Sequence, residues 1–285
     1  MSFTLETKRA ARGSSAGRTR PPFVLVTGGK GGVGKTTVAA NLGVALGKAG
    51  ADPVMVDLDF GLANLDLVLG VEPSENVESF FNGERRLEDC LVPVPAGGRV
   101  LAAGSGSYEM GRPDPARRTR LRDALDRTRA GVVIGDSPAG IGDDVLDFAA
   151  HAERVLVVTT PEPAAFTDAF GVIKAVDAFA TDAGREVPTP EVFVNFASDA
   201  REAQTVASKL AALCERFLAR SPRFVGWMPR SRAVLRGVID QRPIVDGDPS
   251  TPPARAITRL ARRYANLGPI PSGVSRTNGS EGHGR

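Results

Sequence analysis

The segment Gly29-Lys30-Gly31-Gly32-Val33-Gly34-Lys35-Thr36 constrains this chain more than any other. It fits the spacing G-x-x-x-x-G-K-[ST], and it lies between a short apolar run, FVLVT (23–27), and a helical stretch over 36–49. Glycines let a backbone wrap a polyphosphate with its amide N–H groups pointing inward. A helix that begins near Lys35 adds the partial positive charge of its N-terminus. Lys35 is placed to reach the β and γ phosphates, and the Thr36 hydroxyl to ligate Mg²⁺. Gly29, Lys30, Gly31, Gly32, Val33, Gly34, Lys35, Thr36 and Thr37 are therefore the candidate nucleotide-binding loop.

Short, continuous apolar runs recur along the chain at 53–59 (PVMVDLD), 99–104, 132–136 (VVIGD), 154–160, 191–196 and 223–229. Such runs read as strands buried on both faces. Helical segments fall between them at 115–129, 164–180 and 201–219, and a last one at 254–267. The alternation predicts an α/β fold: a doubly wound, mainly parallel sheet in a single domain over 23–267. Residues 1–22 are polar and basic and read as a flexible leader. Residues 268–285 (GPIPSGVSRTNGSEGHGR) read as a disordered tail.

Composition narrows the function. No apolar run reaches about 18 residues, so no membrane-crossing helix is expected, and no secretory signal is expected ahead of the first strand. Cys90 and Cys214 lie far apart with no CxxC, which argues against a disulfide framework or a thiolate zinc site and fits a reducing cytoplasm. The net charge is +3, but residues 1–22 carry +4 and 252–285 carry +5, which leaves −6 on the body between them. The basic ends read as solvated; contact with nucleic acid or anionic lipid is the other reading.

Val56-Asp57-Leu58-Asp59 ends the second strand with two acids. At the carboxyl end of a parallel strand beside the loop, they are placed for a metal shell and a water. Capping the turn that follows is the other role open to them, and to Asp57 above all. The run VVIGD ends in Asp136 before Ser137-Pro138-Ala139-Gly140. In that arrangement a carboxylate touches Mg²⁺ through water, and the proline and glycine suit a segment that moves with nucleotide state. Thr36, Asp57 and Asp136 are the candidate metal residues. A guanine-binding chain would be expected to show N-K-x-D. Asn195-Phe196-Ala197-Ser198-Asp199 has neither the lysine nor the spacing, which favours adenine.

A second lysine, Lys30, stands where phosphate wrapping does not need one. KGGVGKTT (30–37) resembles the deviant Walker A motif of the MinD/ParA family of dimerising P-loop ATPases. The resemblance implies that Lys30 reaches across a dimer to the other subunit's nucleotide, making ATP a dimerisation switch. It implies catalytic roles for Lys30, Lys35 and Asp59, with Asp59 positioning the attacking water and Asp57 supporting the Mg²⁺ shell. It also implies that Asn195 faces adenine, with Pro229 and Arg230 near the base. Asp-Ser-Pro-Ala-Gly (136–140) is similar to the family's second switch, and TPEP (160–163) before Phe166-Thr167-Asp168-Ala169 to its TPEP…TDA pattern.

Within the family, GLANLDLVLG (61–70), PEPAAFTDAFGVIK (161–174), CERFL (214–218) and FVGWMPRSRAV (224–234) look most like the FlhG/FleN regulators of flagellar number. Plasmid-type ParA proteins usually carry a D-x-D-P-Q-G-like segment where this chain has DLDFG. The resemblance thus implies a Mg²⁺-dependent ATPase of low turnover, dimeric with ATP, that controls the number or placement of flagella. ParA-type DNA partitioning and MinD-type division-site selection are the alternatives. The implied partners are a second copy and an FlhF-like GTPase or a flagellar basal-body protein. DNA is not favoured, and membrane binding is expected to be weak or absent. The implied location is the cytoplasm or the inner face of the cell membrane. FlhG-type proteins often carry a short N-terminal D-Q-A-x-x-L-R segment that stimulates FlhF; residues 1–22 show nothing similar, a departure that bears on that contact alone.

Three further features have two readings. Arg117, Arg118, Arg120, Arg122, Arg127 and Arg129 share the 115–129 helix with Asp123 and Asp126. A solvated helix face is expected there rather than a contact with DNA or protein. The 254–267 helix carries Ile257, Leu260, Ala261, Tyr264 and Leu267 on one face and Arg255, Arg259 and Arg262 on another, and is expected to pack on the sheet rather than lie on a membrane. Cys90 and Cys214 are expected to be buried thiols rather than cluster ligands.

Overall fold

The computed structural model describes residues 19–104, 113–184, 186 and 188–271. In chain order its elements are β1 (Thr19–Arg20), β2 (Phe23–Thr27), α1 (Lys35–Lys48), β3 (Pro53–Asp57), α2 (Leu65–Leu69), α3 (Val77–Phe81), a 3₁₀ turn (Leu87–Cys90), β4 (Val92–Pro93), β5 (Arg99–Leu101), α4 (Pro115–Leu125), β6 (Val132–Asp136), α5 (Asp143–His151), β7 (Arg154–Thr159), α6 (Pro163–Asp182), β8 (Glu191–Ala197), α7 (Ala200–Leu218), β9 (Arg223–Pro229), α8 (Arg232–Ile239), α9 (Ile244–Gly247), α10 (Pro252–Tyr264) and β10 (Ile270–Pro271).

Eight strands form one sheet in the order β4-β5-β3-β6-β2-β7-β8-β9. Every pairing is parallel except the edge pair of β4 with β5. The apolar runs are continuous because both sheet faces are covered. Phe23, Leu25, Val54, Val56, Val133, Val155, Val157, Val192 and Val194 face the side packed by α3 to α7. Val24, Val26, Met55, Ile134, Leu156, Val158 and Phe193 face the side packed by α1, α2, α9 and α10. Burying each such side chain is worth ~1.5–3 kcal/mol, so neither face can be left open to water. The single doubly wound α/β domain is as expected from the alternation of runs.

The differences from the sequence reading lie at ends and in short elements. The 115–129 helix stops at Leu125. Beyond it Asp126 meets His151 at 2.9 Å, and the Arg129 carbonyl accepts a bond from Arg99 at 2.8 Å, which turns the chain into β6. Thr19 and Arg20, assigned to a flexible leader over 1–22, pair in β1 with Ile270–Pro271, assigned to the tail over 268–285. Arg20 binds the buried carboxylate of Glu153, and Pro21 and Pro22 are buried. Residues 1–18 and 272–285 lie outside the described residues.

The apolar face of α10 is buried, with Ile257, Leu260, Ala261 and Tyr264 packed in the core and the helix against α1 and β9. The Tyr264 hydroxyl donates to the buried Glu191 carboxylate at 2.6 Å. That face is taken up by the fold, as the packing reading expects. The arginines of α4 are not simply solvated. Arg118 and Arg122 both bind Asp147, at 3.1 and 2.8 Å, and Arg120 donates to the Phe81 carbonyl and stacks on Phe80. No helix among the described residues is long and apolar enough to cross a membrane.

Cys90 and Cys214 are both fully buried. Burial pushes the Cys90 thiol up and the Cys214 thiol to about 11. A thiol reagent such as DTNB is therefore expected to react with neither cysteine in the native protein and with both after unfolding. Fast reaction of either in the native state would contradict this packing.

Candidate functional site

The glycine-rich loop leaves the carboxyl end of β2 and enters α1. Packing fixes its two ends. A Cβ on Gly29 would collide with the Asp168 carbonyl of α6, so the TPEP…TDA segment forms one wall of the loop. Gly34 adopts φ 92°, a left-handed conformation, and a Cβ there would strike the Asn195 amide. Between these clamps, Gly31 and Gly32 have nothing within 4 Å of a Cβ position. The first turn of α1 has neither a side-chain cap nor an acidic residue. Its amides are therefore available to an anion at the loop's centre.

The charged groups collect at the carboxyl ends of β2, β3 and β6. Asp57 and Asp136 are register partners on adjacent strands, each 1% exposed. Asp57 accepts three backbone bonds, from Asp59 N at 2.9 Å and from Asn64 N and Leu65 N at 3.0 Å each. It therefore holds the 58–65 loop and caps α2. Burial pushes Asp57 up to about 6, against the pull of those backbone donors. Burial, followed by the charge of Asp57, pushes Asp136 well above the carboxylate range; the Thr36 hydroxyl and Lys35 oppose this. Lys35 is only 8% exposed, its Nζ is 3.4 Å from the Lys30 carbonyl, and burial lowers its pKa while Asp136 and Asp59 raise it. Asp59 is half-buried and accepts a bond from Leu62 N at 3.1 Å.

The site fits Mg²⁺. Asp136 Oδ1 is buried and has no hydrogen-bond partner, and the Thr36 hydroxyl is near enough to the carboxyl to favour its charged form. Among the described residues no cluster of three or more His, Cys, Asp or Glu could hold a metal unaided. Mg²⁺ does not need one, because it keeps waters and takes phosphate oxygens with one or two protein ligands. Asp136 and Thr36 are the residues with capacity to spare. Asp57 lies behind them, both its oxygens already engaged by the loop, so the capping role left open for it is present in the structure.

Lys30 behaves differently from Lys35. It sits on the rim, with its Nζ 3.1 Å from Glu162 Oε2 and the two side chains 41% and 57% exposed. Such a surface pair is worth roughly 0.2–1 kcal/mol, too little to hold the lysine against a phosphate. Asn195 is buried behind the loop. Its Nδ2 donates to the Val33 carbonyl at 2.8 Å and its Oδ1 accepts from Phe196 N at 2.8 Å. Phe196 has φ 58°, unusual for a bulky side chain, and the Arg230 guanidinium stands 5.2 Å over its ring. Pro229 ends β9 one residue earlier. Thr37 lies in α1, where its carbonyl accepts a bond from Asn41. The sequence reading gave no role to Glu162 or Phe196. Glu162 was visible only as a letter in TPEP, and nothing in the sequence marks the backbone conformation of Phe196.

The family model for the CobQ/CobB/MinD/ParA nucleotide binding domain matches residues 24–244. The chain is 34% identical over 251 residues to the antiactivator FleN of Pseudomonas aeruginosa, covering 87% of this chain and 88% of FleN. It is 35% identical over 169 residues to the flagellum site-determining protein YlxH of Helicobacter pylori, covering 53% of this chain and 52% of YlxH. Among solved structures it resembles the septum site-determining protein MinD complexed with Mg-ADP from Pyrococcus horikoshii. The TM-score there is 0.72 at 25% identity, covering 87% of this chain and 97% of the other. With the phosphate loop, the paired carboxylates and the parallel sheet in place, these matches show that the chain belongs to the CobQ/CobB/MinD/ParA family and is an ATPase of the MinD/ParA type that works with ATP and Mg²⁺.

Proposed function

We propose that this ATPase is a dimerisation switch that sets the number or placement of flagella. The observation that carries the switch is the division between its two loop lysines. Lys35 is buried among the carboxylates, whereas Lys30 stands on the rim with one weak, exposed partner. A rim lysine is free to meet the nucleotide of a second subunit. The similarity to FleN along nearly the whole of both chains supports the flagellar half of the reading. The partners that suit it are a second copy and an FlhF-like GTPase or a flagellar basal-body protein. Division-site selection is the second reading, supported by the likeness to MinD.

The roles follow from position. The loop amides and Lys35 hold the phosphates. Mg²⁺, when bound, neutralises phosphate charge, with Thr36 and Asp136 to receive it and Asp57 to fix the loop beside it. Asp59 orients the attacking water. Lys30 of the second subunit adds positive charge to the phosphates only in the dimer, as an arginine finger does. Asn195 supports the loop from behind, and Pro229 and Arg230 border the base.

Asp59→Ala separates hydrolysis from binding. ATP affinity is expected to be unchanged while phosphate release falls about 100-fold, as for loss of a residue that acts only on the water. The ATP-loaded dimer then accumulates. Turnover at the wild-type rate would reduce Asp59 to a cap for its loop. In cells, deleting the gene is expected to change the count or position of flagella seen by electron microscopy. A change only in plasmid or chromosome inheritance, with ATP-dependent and salt-sensitive retention of the protein on duplex DNA, would favour partitioning instead.

A further inference from the structure

Three buried side-chain atoms among the described residues have no hydrogen-bond partner: Asp136 Oδ1, Thr27 Oγ1 and Thr128 Oγ1. Thr128 lies in the turn before β6, at the end of the sheet away from the phosphate loop. The other two meet at the site. Thr27 is the last residue of β2, two positions before Gly29, and is 0% exposed. Val26 and Asp136 are register partners, and Ser137 N donates to the Val26 carbonyl at 3.0 Å. The ladder therefore carries Ser137 alongside Thr27, at the root of the 137–142 segment.

The two orphaned groups face opposite ways, because side chains alternate along a strand. Val26 belongs to the core beneath α1, and its partner Asp136 points the same way, towards Thr36. Leu25 belongs to the other core, so Thr27 lies on the face of α5 and α6. The residues that would receive Mg²⁺ are thus across the sheet from the Thr27 hydroxyl. Packing does not call for a hydroxyl here: valine has the same shape, and the rest of β2 is Phe23-Val24-Leu25-Val26. A buried hydroxyl without a partner costs stability. Thr159, at the end of the neighbouring β7, avoids that cost by donating to the Ala165 carbonyl at 3.0 Å. The 137–142 segment has groups to offer. Among the described residues, no backbone carbonyl engages the Ala139, Gly140 or Ile141 amides. Gly140 has φ 97°, with nothing within 4 Å of a Cβ position. The Ser137 hydroxyl reaches no further than the adjacent Pro138 carbonyl, at 3.0 Å.

We infer that Thr27 is a positioning residue for hydrolysis: its hydroxyl bonds the backbone of the 137–142 segment when Mg-ATP is bound and holds that segment against the site. The bond exists in the loaded chain and not in the empty one, so it biases the segment towards the loaded arrangement. The inference rests on the reading of 137–142 as a segment that moves with nucleotide state.

Two variants of the full chain test it. Thr27→Val keeps the shape and removes the hydroxyl. Without nucleotide it is expected to melt at or above the wild-type temperature. Its kcat for phosphate release is expected to fall roughly 3- to 10-fold, the worth of one neutral hydrogen bond, with KM for ATP little changed. Thr27→Ser keeps the hydroxyl and loses a methyl, so it is expected to melt lower yet turn over within about twofold of the wild type. Hydrogen exchange with Mg²⁺ and a slowly hydrolysed ATP analogue reads the contact itself. Loading is expected to slow exchange at Ala139, Gly140 and Ile141 in the wild type and Thr27→Ser, and not in Thr27→Val. A packing role would make the rates follow stability, with Thr27→Ser the slower enzyme, and that result would overturn the proposal. Wild-type turnover and protection in Thr27→Val would overturn it too. So would a nucleotide-free Thr27→Val chain that melts well below the wild type, which would show a partner already in place. Unchanged exchange on loading the wild type would refute the movement of the segment, and the proposal with it.

Discussion

Replacing Lys35 with alanine is expected to lower ATP affinity about 100-fold or more and to remove measurable hydrolysis. Lys35 is 8% exposed, and its ammonium feels the charges of Asp136 and Asp59 near the strand ends. It does two things there: it meets the β and γ phosphates, and it offsets the carboxylates against which a polyanion would be pushed. Its loss removes a charge-assisted contact and leaves the repulsion, and interactions of this kind at a preorganised, partly dry site are worth factors of about 10²–10³ each. The fold is expected to survive, since Lys35 belongs to neither of the two apolar cores that hold the sheet. Titration with a fluorescent ATP analogue, beside a thermal melt, checks both halves. ATP binding of wild-type strength in a folded Lys35→Ala chain would remove the loop from the nucleotide site.

Much of this was legible in the sequence because the physics acts locally. Strand runs such as FVLVT and VVIGD are apolar at every position, since alternate side chains enter the two cores. The loop could be read because Gly29 and Gly34 are positions where a side chain would collide or strain the backbone. The long helices α6 and α7 were placed to within about two residues, the ordinary uncertainty of a helix end. By contrast α2, α3 and α9 have five or fewer residues, too few for a helical period to show. The ends were misjudged at Thr19–Arg20 and Ile270–Pro271 because two-residue strands carry no pattern, and the partner of Arg20, Glu153, is 133 positions away.

Within the site, residue types were legible and contacts were not. Asp57 and Asp59 were identified as a pair, but three backbone amides on Asp57 depend on how the 58–65 loop returns to its strand. Asn195 was expected towards adenine; its bond to the Val33 carbonyl arises because the end of β8 comes to lie behind the loop, a neighbour 162 positions away. The Lys30–Glu162 pair has the same origin, with the loop and the start of α6 brought side by side by β2 and β7.

Lys30→Ala is the second change with a large expected effect. The lysine's only ion-pair partner among the described residues is an exposed glutamate, so the fold has little need of it. Lys35 and the loop amides remain, so ATP affinity for the single subunit is expected to stay within about threefold of wild type, in line with the small worth of an exposed pair. Dimerisation and hydrolysis are expected to fail together, because the charge is missing from both shared sites. Sedimentation velocity of the wild-type and Lys30→Ala chains, each with Mg-ADP and with Mg-ATP, tests the switch most directly. The wild type is expected to be monomeric with ADP and dimeric with ATP, and Lys30→Ala to be monomeric with both. A Lys30→Ala chain that dimerises with ATP and hydrolyses it like the wild type would contradict the dimerisation switch.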